Sequence, residues 1–405
     1  MIDLDARLGK WWFPAAILVA ILLRLALLPL WTVDQRDFLI PWLQYARANG
    51  VDYLDRPFTN YAPFYEHVLA LLAQLPGPEM VRIKLTSILF DVVLAGLIAA
   101  LAPPGQKRLG FALFLLMPTA ILNSSAWGQC DAIYASFTML ALLFAMRGRP
   151  VATSMAFGVA IAVKLQAAIF APVLLLLTLE RRQPLWTYLL VPLPYLAIAL
   201  PMLAAGRPLH DTLFVYGNQF STFDKLAQVS PNPWIVLNKL VDYQTGMLIG
   251  VPVAAAIVGG AVWWLHRHRV ARTGEGLLVA AALFAVLVPF VTPKMHERFF
   301  YLVDPMVILL VCRDWRYFRV LLLAEGASLI SYIPFMLVST DPEGPIVRSY
   351  VWLQKNYGGG YGVLAVPGAI LMGMALYLLV KRAREFGGEP RRGRSSGMAT
   401  AAALR

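Results

Sequence analysis

Charge and cysteine are both scarce in this chain: Asp, Glu, Lys and Arg make up 14% of its 405 residues, and only two residues are cysteine. So few charges cannot clothe water-soluble domains of that total length, since soluble proteins draw about a quarter of their residues from this class. Cys130 and Cys312 alone exclude a disulfide framework and a cysteine-built structural zinc site. With five histidines and no recurring His/Cys/carboxylate spacing, no metal-ligand motif is legible. An internal repeat is also lacking.

What is abundant is apolar: 59% of residues are hydrophobic, with a mean hydropathy of +0.64. These residues come in long blocks, and about 20 residues at ~1.5 Å rise cross a hydrocarbon core of about 30 Å. Runs such as Ala15 to Leu30 and Val251 to Leu265 show no period-two alternation, so helices rather than barrel strands are expected. Apolar blocks fall near 12–31, 80–101, 109–126, 130–146, 151–163, 165–179, 185–204, 245–265, 275–291, 299–312, 317–338 and 361–380. The expected fold is all-α, a polytopic transmembrane helical bundle of about 11–13 spans. Residues 1–384 read as one membrane domain and 385–405 as a disordered basic tail. The first block, Trp12 to Trp31, reads as a retained span rather than a signal peptide.

The formal net charge of +12 has a topological origin. Lys107/Arg108, Arg147/Arg149, Arg181/Arg182, Arg267/Arg269/Arg272, Arg313/Arg316/Arg319 and Lys381/Arg382/Arg384 lie in alternate connections. By the positive-inside bias those connections and both termini are cytoplasmic, and no nucleic acid partner is needed to explain the charge. The opposite side receives three long polar connections, Thr32 to Glu79, Ala205 to Gln244 and Ser339 to Gly360. Within the first, Asp37 to Arg47 and Tyr61 to Leu75 read as interfacial helices broken at Asn49-Gly50.

Polar residues concentrate at the external ends of the spans. Asp34-Gln35-Arg36-Asp37 puts two carboxylates where the first span meets water, a seat for a general base or simply a solvated loop start with a helix cap at Asp37. Trp127-Gly128-Gln129-Cys130-Asp131 joins two spans; Asp131 either faces a shared cavity or caps the next helix. Lys164 and Gln166 interrupt an apolar region, where an ammonium must be paired or reach water. Arg24, inside the first span, either snorkels or serves the site. In Pro293-Lys294-Met295-His296-Glu297-Arg298, three possible cations meet one acid, a set suited to a phosphate. The bland alternative is a charged turn followed by the aromatic belt Phe299-Phe300-Tyr301.

These residues resemble the GT-C class of membrane glycosyltransferases, which use polyprenyl-phosphate sugars, and within it the bacterial relatives of the GPI-anchor mannosyltransferases. The resemblance rests on Asp34 with Phe38-Leu39-Ile40-Pro41-Trp42, Asn60-Tyr61-Ala62-Pro63, Trp127 to Asp131, Lys164-Leu165-Gln166 and Met295-His296-Glu297-Arg298. Ala62 departs from the usual Tyr-Pro-Pro, and Arg298 stands where some relatives have Lys. The resemblance implies Asp34, with Asp37 beside it, as the catalytic acid position, and His296, Arg298 and Lys164 as contacts to the donor phosphate. Tyr61, Trp127, Gln129, Asp131, Gln166 and Glu297 would line the substrates. It implies an inverting transfer from a lipid-linked sugar to a hydroxyl on a glycan, a lipid-linked molecule or a protein. No cofactor is required, which fits the lack of a Gly-rich nucleotide loop, while a divalent metal is left open. Arg outnumbers Lys in a compact Ala/Leu-rich chain, which points to a bacterial inner membrane with the site facing the periplasm. The competing expectation is a secondary transporter using Arg24, Lys164 and Asp91 as buried charges.

Overall fold

The structure, a computed structural model, describes residues 9–220, 224–340, 344, 348 and 362–386. The expected tail beyond Phe386 and most of the connection from Ser339 to Gly360 lie outside the described residues. Among the described residues every regular element is helical except one pair of two-residue strands, Ala227–Gln228 and Met295–His296. The all-α polytopic reading therefore stands.

Among the described residues six helices are long and apolar enough to cross a bilayer: Glu79–Leu101, Leu185–Ala204, Tyr243–Arg267, Gly274–Val291, Trp315–Leu337 and Ala365–Phe386. The block expected at 109–126 is a broken helix, Pro104–Leu115 and Pro118–Ala126, bent by 52°. Pro118 causes the break, because the residue before proline avoids the helical region and Met117 is extended at φ −63, ψ 123. Trp12–Leu27, Asp131–Met146, Pro150–Val163 and Leu165–Leu179 are apolar but shorter. The difference from the 11–13 blocks is thus one of length. Lys164, extended at φ −159 and ψ 134, separates two of the short helices, as the interruption there leads one to expect.

Gly274–Val291 and Val303–Arg313 form the centre of the bundle and are buried along nearly their whole length. Tyr243–Arg267 instead presents Leu248, Ile249 and Trp263 outward, as a lipid-facing helix does. Basic turns gather at one end: Arg182 donates to the Ala271 carbonyl at 3.0 Å and Arg313 to the Leu101 carbonyl at 2.8 Å. In the first polar connection, helices Ile40–Asn49 and Pro63–Gln74 occur as expected, with the break at Gly50. Buried Glu66 and Arg207 pair at 2.6 Å and tie this connection to the second one.

Arg24 does not snorkel. Its Nη2 meets Asp91 Oδ2 at 3.0 Å with both side chains buried, and Tyr301 donates to Asp91 Oδ1 at 3.1 Å. Removing one partner strands the other's charge, which costs about 3–5 kcal/mol, whereas replacing both with apolar groups approaches neutrality. Arg24→Met or Asp91→Leu alone is expected to lower the thermal midpoint in detergent sharply, and the double variant to recover most of the loss. Additive losses in that cycle would show that the pair carries no coupling.

Candidate active site

Asp34 is placed by three contacts that begin far from it in sequence. Lys84 Nζ donates to the carbonyls of Leu27, Leu28 and Leu30 at 3.3, 3.0 and 2.6 Å, capping the first helix where its own hydrogen bonds run out. Gln35 accepts from the Thr32 amide at 2.9 Å and donates to the carbonyls of Ala126 and Trp127 at 3.1 and 2.9 Å. That side chain fastens the first loop to the Trp127–Asp131 turn. Gly128 sits there at φ +69, and a Cβ would lie 3.2 Å from Gln35 Nε2, so backbone and space both demand glycine.

The Asp34 carboxylate then has one fixed oxygen and one open one. Oδ2 accepts from Trp127 Nε1 at 2.8 Å and from Gln129 Nε2 at 2.9 Å. Oδ1 has no hydrogen bond among the described residues, and the side chain is 23% exposed. A carboxylate aimed by one oxygen and accessible at the other has the geometry of a proton acceptor. Asp37, three residues on, is exposed and is joined to this cluster by no hydrogen bond or ion pair among the described residues.

Arg298 approaches from the opposite side of the sequence. Its Nη2 is 4.0 Å from Asp34 Oδ2, and its guanidinium lies 4.7 Å from the Trp127 ring centroid. Trp127 is itself stacked on Phe335 at 4.0 Å, a rigid platform for the cation. Among the described residues Arg298 Nη1 is buried without an acceptor, and Nε reaches only Glu297 Oε1 at 3.5 Å. Orphaned guanidinium donors beside the partly exposed Asp34 are what an incoming anion would satisfy.

The turn carrying Arg298 is held by the second polar connection. Ala227 and Gln228 pair in parallel with Met295 and His296. Asn232 Nδ2 donates to the carbonyls of Pro289 and Thr292 at 3.0 and 3.4 Å, and Trp234 Nε1 to that of Val291 at 2.8 Å. These are the last carbonyls of the Gly274–Val291 helix, so the loop caps the helix and aims the turn after it. Lys294 turns away, donating to the Tyr243 hydroxyl at 2.7 Å.

Lys164 and Asp131 form the third wall. Lys164 Nζ is 2.5 Å from Asp131 Oδ1, and Asn123 Nδ2 donates to Asp131 Oδ2 at 2.9 Å. Asp131 therefore does not cap its helix, whose N-cap position is Cys130: it supplies the counter-charge a buried ammonium needs. Tyr61 completes the lining, its hydroxyl 3.4 Å from Gln129 Oε1 and its ring centroid 5.8 Å from Lys164 Nζ. Burial holds the Tyr61 phenol well above its ordinary pKa, so the hydroxyl stays neutral. Gln166 is not hydrogen-bonded to the cluster, and its buried Oε1 has no donor among the described residues.

Two titrations differ from what the residue types suggest. Burial, followed by the charges of Arg298, Lys164 and Lys294, lowers the His296 pKa to about 3, so this imidazole is neutral and carries no positive charge. Burial raises Glu297 to about 7, against the pull of Arg298. Below that pH Glu297 is a neutral neighbour; above it, an ionised Glu297 competes for Arg298. The affinity of the site for an anion should fall as the pH rises through about 7, and Glu297→Gln should flatten the profile of KM for an anionic substrate against pH. An unchanged profile in that variant would remove Glu297 from the titration. For folding, the raised pKa means a contribution complete below the ordinary 4.5 and lost as pH rises through about 7.

Of the residues that sequence singles out, Asp34, Tyr61, Trp127, Gln129, Asp131, Lys164, Glu297 and Arg298 are brought together in one cluster. Gln35, Asn123, Asn232, Trp234 and Phe335 were not legible as contributors, since amides and aromatics in loops and helices carry no signal until their partners are known. Among the described residues no group of three or more His, Cys, Asp or Glu is placed to hold a metal ion.

The family model of glycosyltransferase family 87 matches residues 58–293, more than half of the chain. The matched span contains Tyr61, Trp127, Gln129, Asp131, Lys164 and Gln166, while Asp34 and the His296–Arg298 turn flank it. No curated protein matches the chain. The expectation of a secondary transporter gives way to a membrane glycosyltransferase.

Proposed function

We propose that this chain, which belongs to glycosyltransferase family 87, transfers a sugar from a polyprenyl-phosphate donor to an acceptor hydroxyl, with inversion, on the periplasmic side of a bacterial inner membrane. The observation that carries the reading is the facing pair: a carboxylate with one open oxygen, and a guanidinium with orphaned donors, separated by 4.0 Å across the Trp127 indole.

In the proposed reaction Asp34 Oδ1 takes the proton of the acceptor hydroxyl as that oxygen forms its bond to the anomeric carbon. The bond from that carbon to the phosphate oxygen breaks, and its electron pair leaves with the lipid phosphate. The phosphodiester carries one negative charge and the departing monoester gains a second, so a cation beside the leaving oxygen stabilises the transition state more than the ground state. Arg298 is the group with donors to spare, and neutral His296 adds a hydrogen bond. Lys164, already paired with Asp131, lends one of its remaining N–H groups and positions the acceptor wall. Asp37 lies outside this geometry and is not needed for any step.

Supplying the protein in vesicles with radiolabelled polyprenyl-phosphate mannose, and then with other hexoses, tests the reading. Sugar transfer, or slow hydrolysis releasing polyprenyl phosphate, is expected. A donor pool left intact under all acceptors, together with turnover of a nucleotide sugar, would overturn it.

A further inference from the structure

Two buried acids take no part in the reaction above. Asp304 and Glu325, 2% and 7% exposed, lie on different helices, and among the described residues neither is ion-paired with a lysine, arginine or histidine. What joins them is buried Thr119, the residue after the Pro118 break. Its Oγ1 is 2.6 Å from Asp304 Oδ2 and 2.8 Å from Glu325 Oε2. Its amide, in the first turn of a helix where no intrahelical acceptor exists, donates to Glu325 Oε1 at 2.9 Å. Both oxygen separations are those of O–H···O bonds, yet a threonine hydroxyl has one hydrogen. The second hydrogen must come from one of the acids. Glu325 has both oxygens engaged by Thr119, as suits a carboxylate, whereas Asp304 Oδ1 is buried with no partner among the described residues, so an ionised Asp304 would strand its charge. The assignment that leaves no charge unsolvated therefore runs one way: protonated Asp304 donates to Thr119, and Thr119 donates to ionised Glu325.

These three residues sit on the three elements that build the surroundings of Arg298. Asp304 lies in the first turn of helix Val303–Arg313, which follows the short turn Glu297–Phe300 that carries Arg298. Thr119 opens Pro118–Ala126, which runs directly into Trp127. Glu325 belongs to helix Phe318–Thr340, which carries Phe335, stacked on Trp127, and Tyr332, edge-on to the same indole at 5.6 Å. One turn beyond Thr119, Asn123 donates to Asp131 and to the Tyr332 hydroxyl at 2.9 and 3.4 Å, so the same elements are joined again nearer the site. Resting on the reading of Arg298 as the contact to the donor phosphate, we propose that Asp304, Thr119 and Glu325 are positioning residues: a lock, closed by a proton held on Asp304, that sets the guanidinium against the Trp127 ring.

The direction of the relay makes the two acids unequal under substitution. Asp304→Leu, which has no donor, should lower kcat about tenfold, because small displacements of a group that meets the transition state are costly. Asp304→Asn should restore activity to within about twofold of wild type, since its amide N–H replaces the acid O–H toward Thr119. Glu325→Gln should lower kcat about tenfold, because its NH₂ group meets a Thr119 donor. Thr119→Val should behave like Glu325→Gln, and Thr119→Ser should recover. Measured below each variant's thermal midpoint, the loss should fall on kcat more than on donor KM. An infrared difference spectrum of wild type against Asp304→Asn, taken above about pH 7 where Glu297 is ionised, should show the C=O band of a protonated carboxyl missing from the variant. Asp304→Asn as damaging as Glu325→Gln, no such band, or variants that melt earlier while the folded protein keeps wild-type kcat would overturn the lock. A wild type that transfers no sugar from a polyprenyl-phosphate donor would instead overturn the donor reading, and the infrared band would still decide where the proton sits.

Discussion

Asp34→Asn is expected to reduce kcat by about 10²–10⁴-fold, the usual contribution of a positioned general base, with little change in KM for the donor. The substitution is nearly isosteric. Its amide oxygen can take the place of Oδ2 and keep the hydrogen bonds from Trp127 Nε1 and Gln129 Nε2, so the cluster retains its shape. What it loses is the oxygen that accepts a proton, since the NH₂ group now stands where Oδ1 stood. Asp37→Asn supplies the contrast, because exposed Asp37 has no link to the cluster and its variant should remain within about twofold of wild type. If Asp34→Asn kept most of the activity while Asp37→Asn lost it, the base would have been placed on the wrong carboxylate.

The helical membrane architecture was readable because hydrophobic block length is a local property of the sequence. Where a proline or a charged residue cuts a block, the helix shortens or bends, as at Pro118 and Lys164. Reading blocks alone counts such pieces as full spans. Residue chemistry at the ends of the apolar blocks also pointed to Asp34, the Trp127–Asp131 turn and the Arg298 turn, but it could not supply partners. That Lys164 pairs with Asp131, 33 positions away, or that Arg24 finds Asp91 instead of snorkelling, depends on helix packing that no spacing rule encodes. The state of His296 was equally hidden. An isolated His-Glu-Arg reads as two cations and an acid, yet burial and three neighbouring cations leave the imidazole neutral. Asn232 and Trp234 sit in a stretch that reads only as a polar connection, and their role emerges from the carbonyls that end the Gly274–Val291 helix.

Arg298→Lys should cost about 10²–10³-fold in kcat although it preserves the charge. Its partners explain why charge alone is insufficient. The guanidinium lies over Trp127, directs Nη2 toward Asp34, and leaves Nη1 and Nε as donors without hydrogen-bond partners among the described residues, held at fixed angles by the flat group for an incoming phosphate. An ammonium has neither the fork nor the flat face, and its flexible stem would allow it to collapse onto Glu297 or Asp34. Because the charge on the leaving oxygen grows during the reaction, the loss should fall mainly on kcat, with a smaller rise in KM. His296→Ala should be milder, about tenfold, as suits one neutral hydrogen bond. Arg298→Lys activity within about twofold of wild type would mean that the lipid phosphate departs elsewhere, and the pairing of Asp34 with Arg298 across Trp127 would then have to be read as structural.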